Sequence, residues 1–485
     1  MAKRILFVFR NNEWLGIEYL SSVLKAAGHI TDLVYDPGMG DVELKFKALE
    51  KAIERKVYNN MLKKARRFAP DVIAFSCHTN LYPWVSNMAM LFKKEFNVPI
   101  IAGGMHPTFF PEIVISNPNI DIICRGEGEE AFLELINNMD AGKENLNIKN
   151  LWFKRNGEII RNQLRPLLSN LDSLSFPDKD LFYQYRCFSD RVYVMSGRGC
   201  PYDCTYCFNH AMKNLYKGNG TYLRRRSVEN VIQELRIQKE KYKIKEIFFY
   251  DDIFTLDLKW LKEFRVRYKE EIKLPFKCMV RANCLSVEIA TILKDMGCIY
   301  VDMGVESGSD KVRNRIMNRN LTENQILSAG NYLREAGIKF NTLNIFGSPG
   351  ELPCDMEQTV AINRKLKPSG AFANVLYPFP GTRIAEIAQE GNFIDNKVKE
   401  QIERGEGTYR GATLLKHPFD KLIFKYHTFM PIMLKLPKRM DALILRLPPW
   451  GIFRLISIFF ITNPRNLMIR VKEQAQSIYY ALFRQ

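Results

Sequence analysis

Three cysteines, Cys200, Cys204 and Cys207, stand in a C-x3-C-x2-C arrangement within Ser196-Gly197-Arg198-Gly199-Cys200-Pro201-Tyr202-Asp203-Cys204-Thr205-Tyr206-Cys207-Phe208-Asn209-His210. Three thiolates on one short loop suit three irons of a [4Fe–4S] cube, leaving the fourth iron for an exogenous ligand. His210 lies three residues beyond Cys207, so on spacing alone a Cys3His zinc site stays open. The other cysteines are irregularly spaced. No metal is assigned to Cys278, Cys284, Cys298 or Cys354, which read as buried thiols rather than a disulfide framework.

The elements that must position the triad are legible as alternating apolar runs and helical patterns. Strand-like segments fall at 192–195, 246–250, 277–280, 300–303, 341–346 and 372–377. Six parallel strands make a partial (β/α)6 barrel, in which chemistry gathers at the strands' C-terminal ends. Those ends read Tyr250-Asp251-Asp252, then Arg281 with Asn283, then Gly304-Val305-Glu306-Ser307-Gly308. Phe346-Gly347-Ser348-Pro349-Gly350-Glu351 and Tyr377-Pro378-Phe379-Pro380-Gly381-Thr382 follow the last two. Singly each is an ordinary turn, and paired aspartates often only cap a helix.

Upstream, strands are expected at 4–9, 30–35, 72–76, 100–102 and 120–124, with helices such as 16–27 and 84–96 between them. This alternation predicts a doubly wound, Rossmann-like sheet, with ligands at the carboxyl ends of its strands. No GxGxxG follows the first strand, which disfavours a dinucleotide; Gly103-Gly104 permits close backbone approach but also suits a plain turn.

With Tyr206 as the aromatic, C-x3-C-x-(aromatic)-C resembles the hallmark of the radical S-adenosylmethionine (SAM) superfamily. Residues 1–140 resemble the cobalamin-binding domain that precedes many of its barrels, through Leu15-Gly16-Ile17 with Tyr19-Leu20, Gly103-Gly104-Met105-His106-Pro107-Thr108, and Cys124-Arg125-Gly126-Glu127-Gly128-Glu129. The order of the barrel motifs is likewise similar to the class B, cobalamin-linked members. The resemblance implies a [4Fe–4S] cluster on Cys200, Cys204 and Cys207, and SAM near Tyr206, Asp251, Glu306, Gly347, Pro349 and Gly350. It also implies cobalamin near Asn12, Glu13, Trp14, Leu15, Ser76, His78, Gly103 and Gly104. The DxHxxG signature that supplies an axial histidine is absent, Asn11-Asn12-Glu13-Trp14-Leu15-Gly16 standing in its place, so no histidine ligand to cobalt is expected. His78 and His106 are read as hydrogen-bonding loop residues, and no further catalytic residue is assigned.

In the family the reduced cluster cleaves SAM to a radical that removes an unreactive hydrogen. The resemblance therefore implies methylation of an unactivated carbon or phosphorus of a hydrophobic or secondary-metabolite substrate. A non-methylating cyclisation or rearrangement of a tetrapyrrole- or lipid-type substrate is the alternative within the family, and a cobalamin- and cluster-binding sensor is the alternative outside enzymology. A small-molecule substrate and an electron donor such as flavodoxin or ferredoxin are the expected partners.

The expected organisation is a cobalamin domain at 1–145, a linker at 146–190, the barrel at 191–400 and a basic, apolar, helical region at 401–485. The formal charge is +18, and residues 416–485 hold 12 Lys/Arg against 3 Asp/Glu. Apolar stretches at 443–445, 452–453 and 455–461 interleave with these cations; the uncharged run 455–464 is half of the roughly 20 residues a span requires. Such a region suits a membrane surface or a greasy acidic substrate, or simply caps the barrel. No nucleic-acid signature is present. The apolar run before Arg10, 5–9, is only five residues long, too short for a signal peptide, which predicts a cytoplasmic protein with peripheral contact at the inner membrane surface.

Overall fold

The computed structural model describes residues 1–38, 47–188, 190–407 and 413–449, together with 472, 475, 476 and 478–483. The apolar runs 452–453 and 455–461 lie outside the described residues.

The first sheet begins with five parallel strands: β1 (Arg4–Arg10), β2 (Ile30–Asp36), β3 (Val72–Ser76), β4 (Ile100–Gly103) and β5 (Ile122–Cys124). Their order is β2-β1-β3-β4-β5, and the strands are buried almost throughout because helices cover both faces. Two antiparallel strands, β6 (Leu151–Arg155) and β7 (Glu158–Arg161), extend this sheet beside β5. Residues 151–161 of the expected linker are thus sheet. Asn156-Gly157, both at positive φ, form the tight turn between them, a signal that the surrounding mixed composition hides.

The second sheet is wholly parallel. It runs in sequence order through β8 (Arg191–Val194), β11 (Glu246–Phe249), β12 (Phe276–Val280), β13 (Cys298–Glu306), β14 (Lys339–Phe346) and β15 (Gly370–Val375). Between β8 and β11 the chain forms a short antiparallel pair, β9 (Gly197–Arg198) with β10 (Arg224–Arg225). The crossover helices start on side-chain caps: Ser227 accepts from Asn230 N, Asp257 from Trp260 N, Ser286 from Ile289 N, and Thr322 with Gln325 closes a reciprocal box.

One apolar core joins the sheets. Phe9 of β1, Phe182 and Tyr185 of the intervening segment and Val192 of β8 belong to the same buried cluster. Phe182 packs edge-on against Phe9 with centroids 6.1 Å apart. The helix Asp420–Met433 of the C-terminal region packs on β15 and β14 through Ile423, Tyr426 and Phe429. Among the described residues no helix is long and apolar enough to cross a membrane.

Candidate active site at the junction of the two sheets

The triad lies on the loop that leaves β9, and that loop is tied down from several elements. Gly199 has φ +93°, and a Cβ there would stand 2.4 Å from the Tyr222 carbonyl. Thr205 donates its backbone N–H to Met317 O (3.1 Å) and its hydroxyl to Ile316 O (2.8 Å), while its carbonyl accepts from Ile384 N (2.9 Å). Arg281 donates to Cys204 Sγ at 3.5 Å, with its guanidinium 3.8 Å from the Tyr202 ring centroid. Asn209 donates to Cys207 Sγ (3.6 Å) and to Asp252 Oδ1 (2.8 Å), and accepts from Tyr222 OH (2.7 Å).

All three thiols are free. Burial pushes Cys200 up to about 11 and Cys207 up to about 12, so both stay protonated at neutral pH until a metal displaces the proton. His210 contacts Asp203 Oδ1 (3.3 Å) and Asn214 Nδ2 (3.1 Å). Among the described residues no three His, Cys, Asp or Glu side chains converge as ligands of a single ion. Three cysteine sulfurs on one loop are a donor set that three irons of a cube would take.

The SAM-side residues are arranged by arginine and by backbone strain. Glu306 ends β13 where the register with β14 shifts, and its φ is +64°, a conformation that costs a non-glycine residue roughly 1–3 kcal/mol. Arg319 holds it at 3.1 Å, donates to Gly304 O at 2.8 Å and bonds the Tyr206 hydroxyl. Burial raises the Glu306 carboxyl, with Arg319 opposing. The 347–350 turn is held from within: Glu351 Oε2 accepts from Gly347 N (2.6 Å) and Ser348 N (3.0 Å), which leaves φ +85° at Gly347 and +70° at Gly350. Pro349 is buried in that turn. Burial raises Glu351 to about 8, and Glu351 Oε1 and Ser348 Oγ have no hydrogen-bond partner among the described residues. The sequence signal for Glu351 was its place four residues after Gly347.

Asp251, expected near SAM, stands just past the end of β11 beside the cysteine loop. Both its oxygens are occupied by Ser196, through N at 3.1 Å and Oγ at 2.6 Å, so it anchors the base of the cysteine loop.

On the other sheet, the loops after β1, β3 and β4 bring Trp14, His78 and Gly104 together. Trp14 meets His78 edge-on with ring centroids 4.2 Å apart. Gly104 has φ +110°, and a Cβ there would lie 2.8 Å from Cys77 O. Ser76 and Gly103 are register partners at the ends of β3 and β4. Burial lowers His78 to about 4, keeping it neutral, and its Nε2 and the Thr79 hydroxyl are buried without hydrogen-bond partners among the described residues. Asn12 is exposed and Leu15 buried. His106 is buried against Tyr82 and Phe110, ring centroids 4.5 and 5.2 Å away, a packing role.

Glu13, expected near cobalamin, is buried on the loop after β1. It faces Lys179, whose Nζ bonds Glu13 Oε1 (2.5 Å), Glu18 Oε2 (2.7 Å) and Tyr193 O (2.8 Å) in complete burial. Burial and Glu13 raise Glu18, and Lys179 opposes them. Nothing local in the sequence marks Lys179, which joins the β1 loop to β8 across more than 160 residues.

Loops that follow strands of both sheets meet directly. Glu127, after β5, receives Arg198 (3.0 Å) and Arg224 (2.8 Å), and Glu129 receives Arg198 (2.6 Å) two residues before Cys200. Tyr216 OH occupies the space a Cβ on Gly126 would need and accepts from Glu127 N at 3.2 Å. Phe109, after β4, stacks on Phe208 beside Cys207 (5.6 Å), and Phe208 meets Phe379 after β15 (4.8 Å). The loops at the carboxyl ends of the two sheets are therefore in direct contact.

The chain matches the Radical SAM superfamily over residues 194–361 and the B12 binding domain over 10–136. An uncharacterized methyltransferase of Pyrococcus horikoshii, PH0819, is 31% identical over 381 residues, 77% of this chain and 82% of that protein. The chain belongs to the cobalamin-binding branch of the radical SAM superfamily. An anaerobic magnesium-protoporphyrin IX monomethyl ester cyclase of Rubrivivax gelatinosus is 24% identical over 467 residues, 86% of this chain and 79% of its own. The fold is shared with the radical SAM methyltransferase TsrM from Kitasatospora setae (TM-score 0.63, 16% identity, 80% of this chain and 75% of that one). It is also shared with the cobalamin-dependent radical SAM enzyme OxsB (TM-score 0.67, 16% identity, 99% and 72%). The cofactors of this radical SAM enzyme are a [4Fe–4S] cluster, SAM and cobalamin, and its substrate is a small molecule.

Proposed function

We propose that the protein is a cobalamin-dependent radical SAM methyltransferase acting on an unactivated carbon or phosphorus of a hydrophobic or secondary-metabolite substrate. The observation that carries the reading is the junction: Glu127 and Glu129 grip Arg198 beside the cysteine loop, and Phe109 stacks on Phe208 beside Cys207. When bound, the cofactors supply a transferable methyl group and a hydrogen-abstracting radical. Cys200, Cys204 and Cys207 would hold the cluster, with Arg281 and Asn209 donating to two of the sulfurs. Glu306, Tyr206 and the 347–350 turn would orient SAM. Trp14, Leu15, Ser76, His78 and the side-chain-free Gly103-Gly104 edge would bed the cobalamin, with Asn12 at its rim. Phe109, Phe208 and Phe379 would exclude water where the loop sets meet.

An electron donor of flavodoxin or ferredoxin type, acidic against the chain's charge of +18, would reduce the cluster. The protein would work in the cytoplasm with peripheral contact at the membrane surface. The test is anaerobic reconstitution with iron, sulfide and cobalamin, then reduction and addition of SAM. Stoichiometric S-adenosylhomocysteine with the methylcobalamin spectrum is the expected result. The similarity to the cyclase supports a second reading, oxidative cyclisation. Deoxyadenosine release with no methylcobalamin would favour it, and neither product would favour a sensor.

A further inference from the structure

A cleft of about 460 Å³ opens at the other end of the barrel, beside Gly370 at the start of β15. The junction described above follows the last residues of the strands, so this cleft is separate from it. Ala371, Pro431 and Leu434 give it an apolar floor, and Lys367, Lys435 and Lys438 stand on its lining. A fourth cation there, Arg364, is neutralised by Asp441 through two bonds of 2.6 Å. The three lysines are exposed and make no ion pair among the described residues. Fixed apolar surface ringed by uncompensated ammonium groups is complementary to an anion that carries hydrocarbon.

The neighbouring surface continues the pattern. On the short helix Asp441–Ile444 and just past it, Leu443 is 57% and Leu447 37% exposed. Arg439 and Arg446 are exposed or half-buried beside them, and Asp441 is the only acid between 435 and 449.

We propose that this face seats the protein on a membrane surface bearing anionic phospholipid, with phosphate headgroups at Lys367, Lys435 and Lys438 and Leu443 and Leu447 entering the acyl boundary. Long lysine stems lie along apolar surface while their heads stay at the polar level, and cations on an apolar face drive interfacial binding. The proposal extends the hydrophobic-substrate reading and rests on it for what attachment serves. The attachment itself is measured without turnover.

The experiment is flotation of the full-length, reconstituted protein with vesicles of phosphatidylcholine alone or mixed with phosphatidylglycerol. The expected result is flotation with the anionic vesicles only, weakened by salt, and reduced about five-fold for each lysine neutralised in the series Lys367→Gln, Lys435→Gln and Lys438→Gln. Lys→Arg replacements should retain it, and Leu443→Ser with Leu447→Ser should weaken it at unchanged charge. Methylcobalamin formation by the glutamine variants should match the parent, which separates this test from that of the reaction. Equal flotation of the glutamine variants and the parent, or equal binding to neutral vesicles, would overturn the proposal. So would millimolar inorganic phosphate abolishing flotation at constant ionic strength (a soluble phosphate ligand), or a dimer that the substitutions dissociate (a second copy).

Discussion

On the barrel side of the junction charged groups hold one another in place: Arg319 grips Glu306 and Tyr206, Arg281 reaches Cys204, and Glu351 ties its own turn. On the cobalamin side the corresponding loops present a glycine pair, Trp14, and a histidine that burial keeps neutral with one nitrogen lacking a hydrogen-bond partner among the described residues. The contrast fits the guests proposed for the two halves. A small charged ligand and a cluster need oriented charge, whereas a broad macrocycle needs an open, weakly charged bed. Among the described charges of the cobalamin side, Glu127, Glu129 and Glu13 with Glu18 face the barrel domain or Lys179, where they dock one half to the other, while Arg10 and Asp36 pair with each other at the ends of β1 and β2.

The sharpest way to break this division is at the cysteines. Cys200→Ala, Cys204→Ala or Cys207→Ala should abolish the cluster's absorbance and SAM cleavage while cobalamin still binds; loss of cobalamin as well would mean the two halves are not separately prepared. The docking charges come next. Lys179→Ala strands two buried carboxylates and is expected to cost about 3–5 kcal/mol in denaturant unfolding; Glu127→Ala leaves Arg224 without a carboxylate while Arg198 keeps Glu129, and is expected to cost about 1–3 kcal/mol. Removing a sulfur-directed donor, Arg281→Gln or Asn209→Ala, should reduce cluster loading or activity about 10–100-fold, as second-layer partners of metal ligands do. Arg281→Gln should also lower the cluster's midpoint potential, because a cation no longer faces it.

The smallest effect distinguishes the halves by sign. Glu351 is raised from 4.5 to about 8, so the folded state binds its proton more tightly and this group's stabilisation is lost as pH rises between those values. His78 and His106 are lowered from 6.5 to about 4 and about 3, so the unfolded state binds protons more tightly and stability is lost as pH falls below 6.5. Glu351→Gln should flatten the first slope and His78→Gln the second, each by about 1–2 kcal/mol across its window in pH-dependent thermal melts. A slope unchanged in either variant would remove that residue from the contrast.

Much of the frame was legible because parallel strands covered on both faces read as uninterrupted apolar runs; β3 falls on the expected residues, and β1, β2, β4 and the barrel strands lie within a few of theirs. The cysteine triad was legible because its chemistry is local in sequence. Lys179, Arg224 and Tyr216 were not, since each acts only through residues that the fold brings from another domain. The partners of Asp251 and Glu13 were not legible either, since which way a carboxylate faces depends on the cation or donor that the fold sets opposite it, here Ser196 and Lys179.

The central claim is that the two loop sets enclose one space. Its most direct test is pulsed electron paramagnetic resonance on the reduced protein holding both the paramagnetic cluster and cob(II)alamin. The account predicts dipolar coupling between the two spins, weakened when Glu127→Arg repels Arg198 and Arg224. Two uncoupled spectra in a fully loaded parent protein would contradict it.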